Sequence, residues 1–265
     1  MKVPATTVQG RGDTAVLLLH GIGGGRSIWD DAASGTARVL AEAGYRAVAV
    51  DLPGYGDSAA MGAPDLAAMV AGVRAVMAVI AVRRVVLLGH SMGGMVAQEL
   101  LARDPAGVDG LVLTCTTASF GQADGSWQAA FLAERLAPLD AGLGMAGMAD
   151  RLLPGLVGPA ASPEARAQAR AVMARVPEAS YRAALQAIAG FDRRAALAAI
   201  RVPTLLLAAA HDRTAPPQVM QRLAARITGS EFACLPDAGH IANVEAPAAF
   251  NVAVLNFLQR HFPLA

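Results

Sequence analysis

Six short apolar runs recur along the 265-residue chain without the in–out alternation of a half-solvated strand: Ala15–His20, Arg46–Asp51, Val85–Gly89, Gly110–Cys115, Pro203–Ala210 and Glu231–Leu235. Continuous apolarity over so few residues, rich in Val and Leu and closed by turn residues, marks strands buried on both faces, as in a parallel sheet. Parallel neighbours need long crossovers. Helical patterns fill those gaps at Ile28–Ala43, Pro64–Val82, Met92–Arg103, Pro216–Ala225 and Pro247–Arg260. Pro64, Pro216 and Pro247 sit near helix starts, where a missing N–H costs little. The alternation predicts a doubly wound α/β sheet, mostly parallel.

The rhythm breaks between about Ala118 and Ala199, where helical patterns (Trp127–Leu136, Pro163–Arg175, Ser180–Ala189) occur without a convincing strand. This divides the chain into a core of residues 1–117 and 200–265 and a helical lid of residues 118–199. Phe120, Trp127, Phe131, Met145, Met148 and Met173 give the lid adaptable apolar side chains suited to roofing a pocket.

Composition excludes several classes. With 54% hydrophobic residues and 16% charged, the chain can bury a core and is not disordered. A balance of 22 Lys+Arg against 21 Asp+Glu leaves no basic footprint for nucleic acid. The longest apolar stretch, Ala63 to Val82, is broken by Asp65 and Arg74 and reads as a buried helix, so no membrane span is expected. Residues Met1 to Asp13 lack the apolar segment of a secretory leader. Cys115 and Cys234 lie in separate apolar runs and suit small buried hydrophobes in a reducing compartment, so a soluble, cytoplasmic chain is the expectation. No Cys/His cluster has metal-ligand spacing, and the Gly-rich loops complete neither a dinucleotide nor a P-loop motif, so neither metal nor cofactor is expected.

The chemistry concentrates at Gly89-His90-Ser91-Met92-Gly93-Gly94, a G-x-S-x-G directly after one strand and directly before a helical pattern. In that context the chain turns sharply and presents the Ser91 hydroxyl, while Gly89 and Gly93 remove Cβ atoms that would clash across the turn. Ser91 as a plain helix N-cap is the competing reading. A serine nucleophile needs a base and a carboxylate to orient it, in the order Ser, Asp or Glu, His. His240 in Asp237-Ala238-Gly239-His240 follows the strand ending at Leu235, and Asp212 follows the strand Pro203–Ala210. Both loops leave the same sheet edge as Ser91, because parallel strands all end on one side. Asp51, Asp57, Asp192 and Asp237 compete for the acid role but lie before the serine, in the lid, or too close to His240. The backbone N–H groups of Ile22, in the loop Gly21–Gly25, and of Met92 are the expected oxyanion donors.

Together these residues resemble the α/β-hydrolase superfamily over about Ala15 to Leu258, with further marks at Asp51–Ser58 and Ala238–Pro247. Within it the likeness is greatest to 3-oxoadipate enol-lactonases and related small carboxylesterases, through Ser91–Gln98, Ile200–Leu205, Pro216-Pro217 and Phe250-Asn251. The resemblance implies an α/β-hydrolase fold and hydrolysis of a small ester or lactone through Ser91, His240 and Asp212. Cofactor-free perhydrolases (haloperoxidases), carbon–carbon bond hydrolases and acyltransferases share this appearance, as would a non-catalytic ligand receptor. Trp29, Phe120, Trp127, Phe131 and Ile241 are the expected substrate-pocket residues, with plain core packing as the alternative. Arg26, Arg135 and Arg151 are candidates to meet a substrate carboxylate, or solvated surface. The expected partner is a small-molecule ester or lactone substrate, with neither nucleic acid nor membrane, and the sequence leaves the oligomeric state open.

Overall fold

A computed structural model describes residues 2–30, 35–60, 65–121 and 125–264. Seven strands form one sheet: β1 (Thr6–Gln9), β2 (Thr14–Leu19), β3 (Arg46–Val50), β4 (Arg84–His90), β5 (Gly110–Thr114), β6 (Thr204–Ala209) and β7 (Glu231–Leu235). Their order is β1-β3-β2-β4-β5-β6-β7. Only β1, at one edge, runs antiparallel to its neighbour, with Thr7 opposite Ala49. The other pairings are parallel, as in Leu17 beside Val48 on one side and Leu87 on the other.

Among the described residues, four α-helices precede β5: α1 (Ser27–Asp30), α2 (Thr36–Glu42), α3 (Leu66–Val79) and α4 (Met92–Arg103). Four more lie between β5 and β6: α5 (Ser126–Asp140), α6 (Gly144–Leu156), α7 (Pro163–Ala174) and α8 (Glu178–Ile188). The chain closes with α9 (Pro217–Ala224), α10 (Ala242–Glu245) and α11 (Pro247–His261). Asp65 starts α3 by accepting the Ala67 N–H, and Ser162 starts α7 by accepting that of Ala165. The expected helix start at Pro64, like part of the helix expected over Ile28–Ala43, falls outside the described residues.

Alternate residues of each central strand feed two cores. Leu17, Leu19, Leu87 and Leu111 pack with α3, α4 and α9 on one face, where Val73, Val96 and Met220 are buried. Val16, Leu18, Val86 and Leu88 pack with α1, α2 and α11 on the other, against Trp29, Leu40 and Phe257. Two-sided burial is why these strands read as unbroken apolar runs. Among the described residues no helix is long and apolar enough to cross a membrane.

Two expectations need correction. Cys234 is exposed, because β7 is an edge strand whose outer positions alternate toward solvent; only Cys115 is a buried thiol. Trp29 is fully buried against Phe250 in the core shared with α2 and α11, and it is not among the residues lining the cavity at Ser91. Its neighbour Ile28 takes that place.

Candidate active site

The tight passage from β4 into α4 sets Ser91 at φ 52°, ψ −116°, a conformation that costs a non-glycine residue of order 1–3 kcal/mol. The turn closes because Gly89 and Gly93 lack side chains. A Cβ on Gly89 would stand 2.5 Å from the Gly93 carbonyl oxygen, and one on Gly93 would run into the backbone of Leu19. The strained residue is pinned on all sides. Its N–H donates to the Thr114 carbonyl at 3.0 Å, and its carbonyl accepts from the Thr116 hydroxyl at 2.7 Å and the Gly94 N–H at 2.9 Å.

The loops after β4, β6 and β7 meet at one sheet edge. Ser91 Oγ lies 3.0 Å from His240 Nε2, and His240 Nδ1 lies 2.9 Å from Asp212 Oδ2. These contacts fix the tautomer: Nδ1–H donates to the carboxylate, and Nε2 is left to accept the serine O–H. The second oxygen of Asp212 accepts the N–H groups of Thr214 (2.7 Å) and Ala215 (3.0 Å). Burial alone would raise the Asp212 pKa, but the His240 ring and these amides outweigh it and hold the carboxyl below its usual range.

Two further histidines, both neutral, frame the site. His90 donates from Nε2 to the His240 carbonyl at 2.7 Å, its ring 5.0 Å from that of His240. Burial, and then the His240 ring, push its pKa down to about 3. His20 donates from Nδ1 to the Gly21 carbonyl (2.8 Å) and accepts the Leu52 N–H at Nε2 (3.1 Å), and burial lowers its pKa as well. The Tyr55 hydroxyl donates to the Ile22 carbonyl at 3.1 Å. The glycine loop is thereby held over Ser91, and Ile22 and Met92 both line the cavity above it. Neither the Ile22 nor the Met92 N–H has an acceptor among the described residues.

That cavity has a volume of about 340 Å³. Phe120, Trp127, Phe131 and Ile241 line it. On α5, Trp127 and Phe131 stack one turn apart at 5.1 Å, with Phe120 edge-on to both. One turn further on, the Arg135 guanidinium sits 4.0 Å over the Phe131 ring and has no carboxylate partner among the described residues. Tyr181 lines the same cavity at 1% exposure, and its hydroxyl has no hydrogen-bond partner among the described residues. Of the other two arginines considered, Arg26 is paired with Asp51 and Asp57, and Arg151 points to solvent. Sequence reasoning missed Thr116, Tyr181 and the structural part played by His90. The first lies on the connection after β5 and the second on α8, with no motif to mark either. His90 occupies the variable position of its own motif.

A doubly wound sheet that presents a strained serine, an imidazole and a carboxylate at neighbouring strand ends is the layout of the α/β hydrolases. The chain belongs to that family: residues 16–253 match the model of the Alpha/beta hydrolase family. It is 36% identical over 254 residues to a Variovorax paradoxus protein named for carbamate hydrolysis, RutD, covering 93% of this chain and 92% of that one. Among solved structures it resembles a thermophilic esterase from Thermogutta terrifontis, with TM-score 0.86, 28% identity, and coverage of 97% of this chain and 93% of that one. It also resembles the enol-lactonase from Burkholderia xenovorans, with TM-score 0.81, 26% identity and 96% of each chain covered.

Proposed function

We propose that the chain is a serine hydrolase of small carboxylic esters or lactones that works through an acyl-enzyme on Ser91. The observation that carries this reading is the hydrogen-bonded sequence from Ser91 Oγ through His240 to Asp212, at 3.0 and 2.9 Å. His240 Nε2 takes the serine proton as Oγ attacks the carbonyl carbon. Asp212 keeps the ring in the required tautomer and stabilises the imidazolium. The N–H groups of Ile22 and Met92 receive the oxyanion, each such donor being typically worth about 2.7–4 kcal/mol in the transition state. His240 then returns the proton to the leaving oxygen and activates the water that releases the acyl group.

The residues of 118–199 act as a cap that sets substrate choice. Phe120, Phe131 and Trp127 favour an apolar body, and the free donors of Arg135 and Tyr181 favour a polar acceptor at its far end. The relatives named for carbamate, ester and enol-lactone chemistry support a carbonyl-directed reaction, since all three bonds yield to attack at an acyl carbon.

The test is a panel of 4-nitrophenyl esters of increasing chain length, neutral and carboxylate-bearing, together with five-membered lactones, run beside fluorophosphonate labelling. Wild-type protein should turn over a member of the panel and label at Ser91. Ser91→Ala should lose labelling and about 10⁴-fold or more of turnover while keeping its circular dichroism spectrum. Turnover that survives in Ser91→Ala would refute the mechanism.

A further inference from the structure

The segment Ala238–Pro247 contains Glu245, an acid to which the proton relay gives no task. Its half-buried carboxylate is nevertheless one of the most heavily bonded acceptors near the site. Oε2 accepts the N–H of Gly239 at 2.8 Å and that of Gly158 at 2.6 Å, and Oε1 accepts the N–H of Ile241 at 2.8 Å. The two residues flanking His240 are thus held by one side chain. The N–H of His240 itself donates to the Leu156 carbonyl at 2.7 Å. Leu156 is the last residue of α6, and Gly158 lies two positions beyond it.

Three consecutive amides of the histidine loop, 239 to 241, are therefore committed either to Glu245 or to the end of a cap helix. Glu245 also bonds the cap end directly. The two backbones touch closely: a Cβ on Gly239 would stand 2.7 Å from the Leu156 carbonyl oxygen, and one on Gly158 would stand 2.9 Å from the Gly239 nitrogen. On its other side, the His240 carbonyl receives His90 Nε2–H. The base thus has little freedom of its own, and its position follows that of the α6 terminus. Leu156 adds a second link, since its side chain lines the cavity while its carbonyl holds His240.

We infer that Glu245 is a positioning residue that locks the His240 loop to the end of α6, so that the base is in register with Ser91 only while the cap is seated. The inference rests on the hydrolase reading for its kinetic consequence, and on hydrogen bonds alone for its structural one. A carboxylate suits the task because it accepts three N–H groups and donates nothing. An amide in its place would turn an NH₂ toward at least one backbone N–H.

The experiment compares wild type with Glu245→Gln, Glu245→Asp and Leu258→Ala. The last is a core truncation in α11 that lowers stability away from the site. Esterase kinetics, fluorophosphonate labelling rates and amide hydrogen exchange are read on each. Glu245→Gln should lose about 100-fold in kcat, the scale of a misplaced catalytic group, with KM changed less than threefold. Its labelling rate should fall in parallel, and amides of residues 239–241 and 158 should exchange faster together while those of β4 stay protected. Glu245→Asp should recover part of kcat, and Leu258→Ala should lower the melting temperature without that kcat loss. Unchanged exchange at 158 and 239–241 in Glu245→Gln would overturn the lock. So would a kcat within threefold of wild type, or a loss that Leu258→Ala reproduces at equal stability. Faster exchange at both segments in a protein that neither labels nor turns over any ester would support the lock and refute the hydrolase reading. Labelling of wild type and Glu245→Gln at one rate would do the reverse.

Discussion

His90 illustrates how a single side chain near a site can write itself into the stability of the whole fold. An ordinary histidine titrates near 6.5, and burial holds His90 at about 3. The sign follows from proton counting. Between those values the unfolded chain binds a proton that the folded chain refuses, so stability is fully present above about pH 6.5 and declines as pH falls toward 3. His20 acts in the same direction. Asp212, depressed below its usual range, also loses stability on acidification, but only below about pH 4, where an unfolded aspartate protonates. His90→Gln keeps a donor for the His240 carbonyl and removes one titration. Urea unfolding at a series of pH values from 6.5 to 4.5 should then give a shallower decline than wild type. An equally steep decline would show that His90 is not a source of the acid sensitivity. Ser91, His240 and Asp212 were legible at this scale because each lies within a few residues after an apolar run and carries a functional group that nothing else there explains. Thr116, Tyr181 and Glu245 were not, since they act on backbone groups or line a cavity, and neither leaves a pattern in the chain.

Among the elements, the β4–α4 turn is the most tightly specified. Gly93 packs so closely on the end of β2 that an added methyl meets the backbone carbonyl of Leu19, which cannot swing away as a side chain would. Gly93→Ala is expected to destabilise the fold by about 2 kcal/mol or more and to displace Ser91. A melting temperature within a degree or two of wild type would contradict that packing. The central strands and α4 could be read from the chain because two-sided burial leaves an unbroken apolar signature. Thr6–Gln9 could not, being a short edge strand with polar, half-exposed residues and antiparallel pairing. Nor could α6, whose sequence carries Gly144, Gly147, Pro154 and Gly155 and whose helical state is held by packing of Met145, Met148 and Leu153. Trp29 misled for a related reason: a large aromatic beside a glycine loop fits a pocket or a core equally well, and only the rotation of a four-residue helix decides.

At the scale of the whole molecule, the site joins parts of the chain that fold far apart in sequence. Ser91 and His240 are separated by 149 positions and Asp212 and His240 by 28, with the helices α5 to α8 intervening between the first two. Closing a loop of that length is entropically slow relative to forming local helices and the β2–β4 pairings. On dilution from denaturant, far-ultraviolet circular dichroism should return before labelling competence at Ser91. Recovery of both with one rate constant would argue that the two halves of the sheet assemble in a single step. Until the loop after β7 docks, the Ser91 hydroxyl therefore has no imidazole beside it. On the proposed reading, that docking is what arms the hydroxyl, and a chain folded only through β6 would carry an inert alcohol.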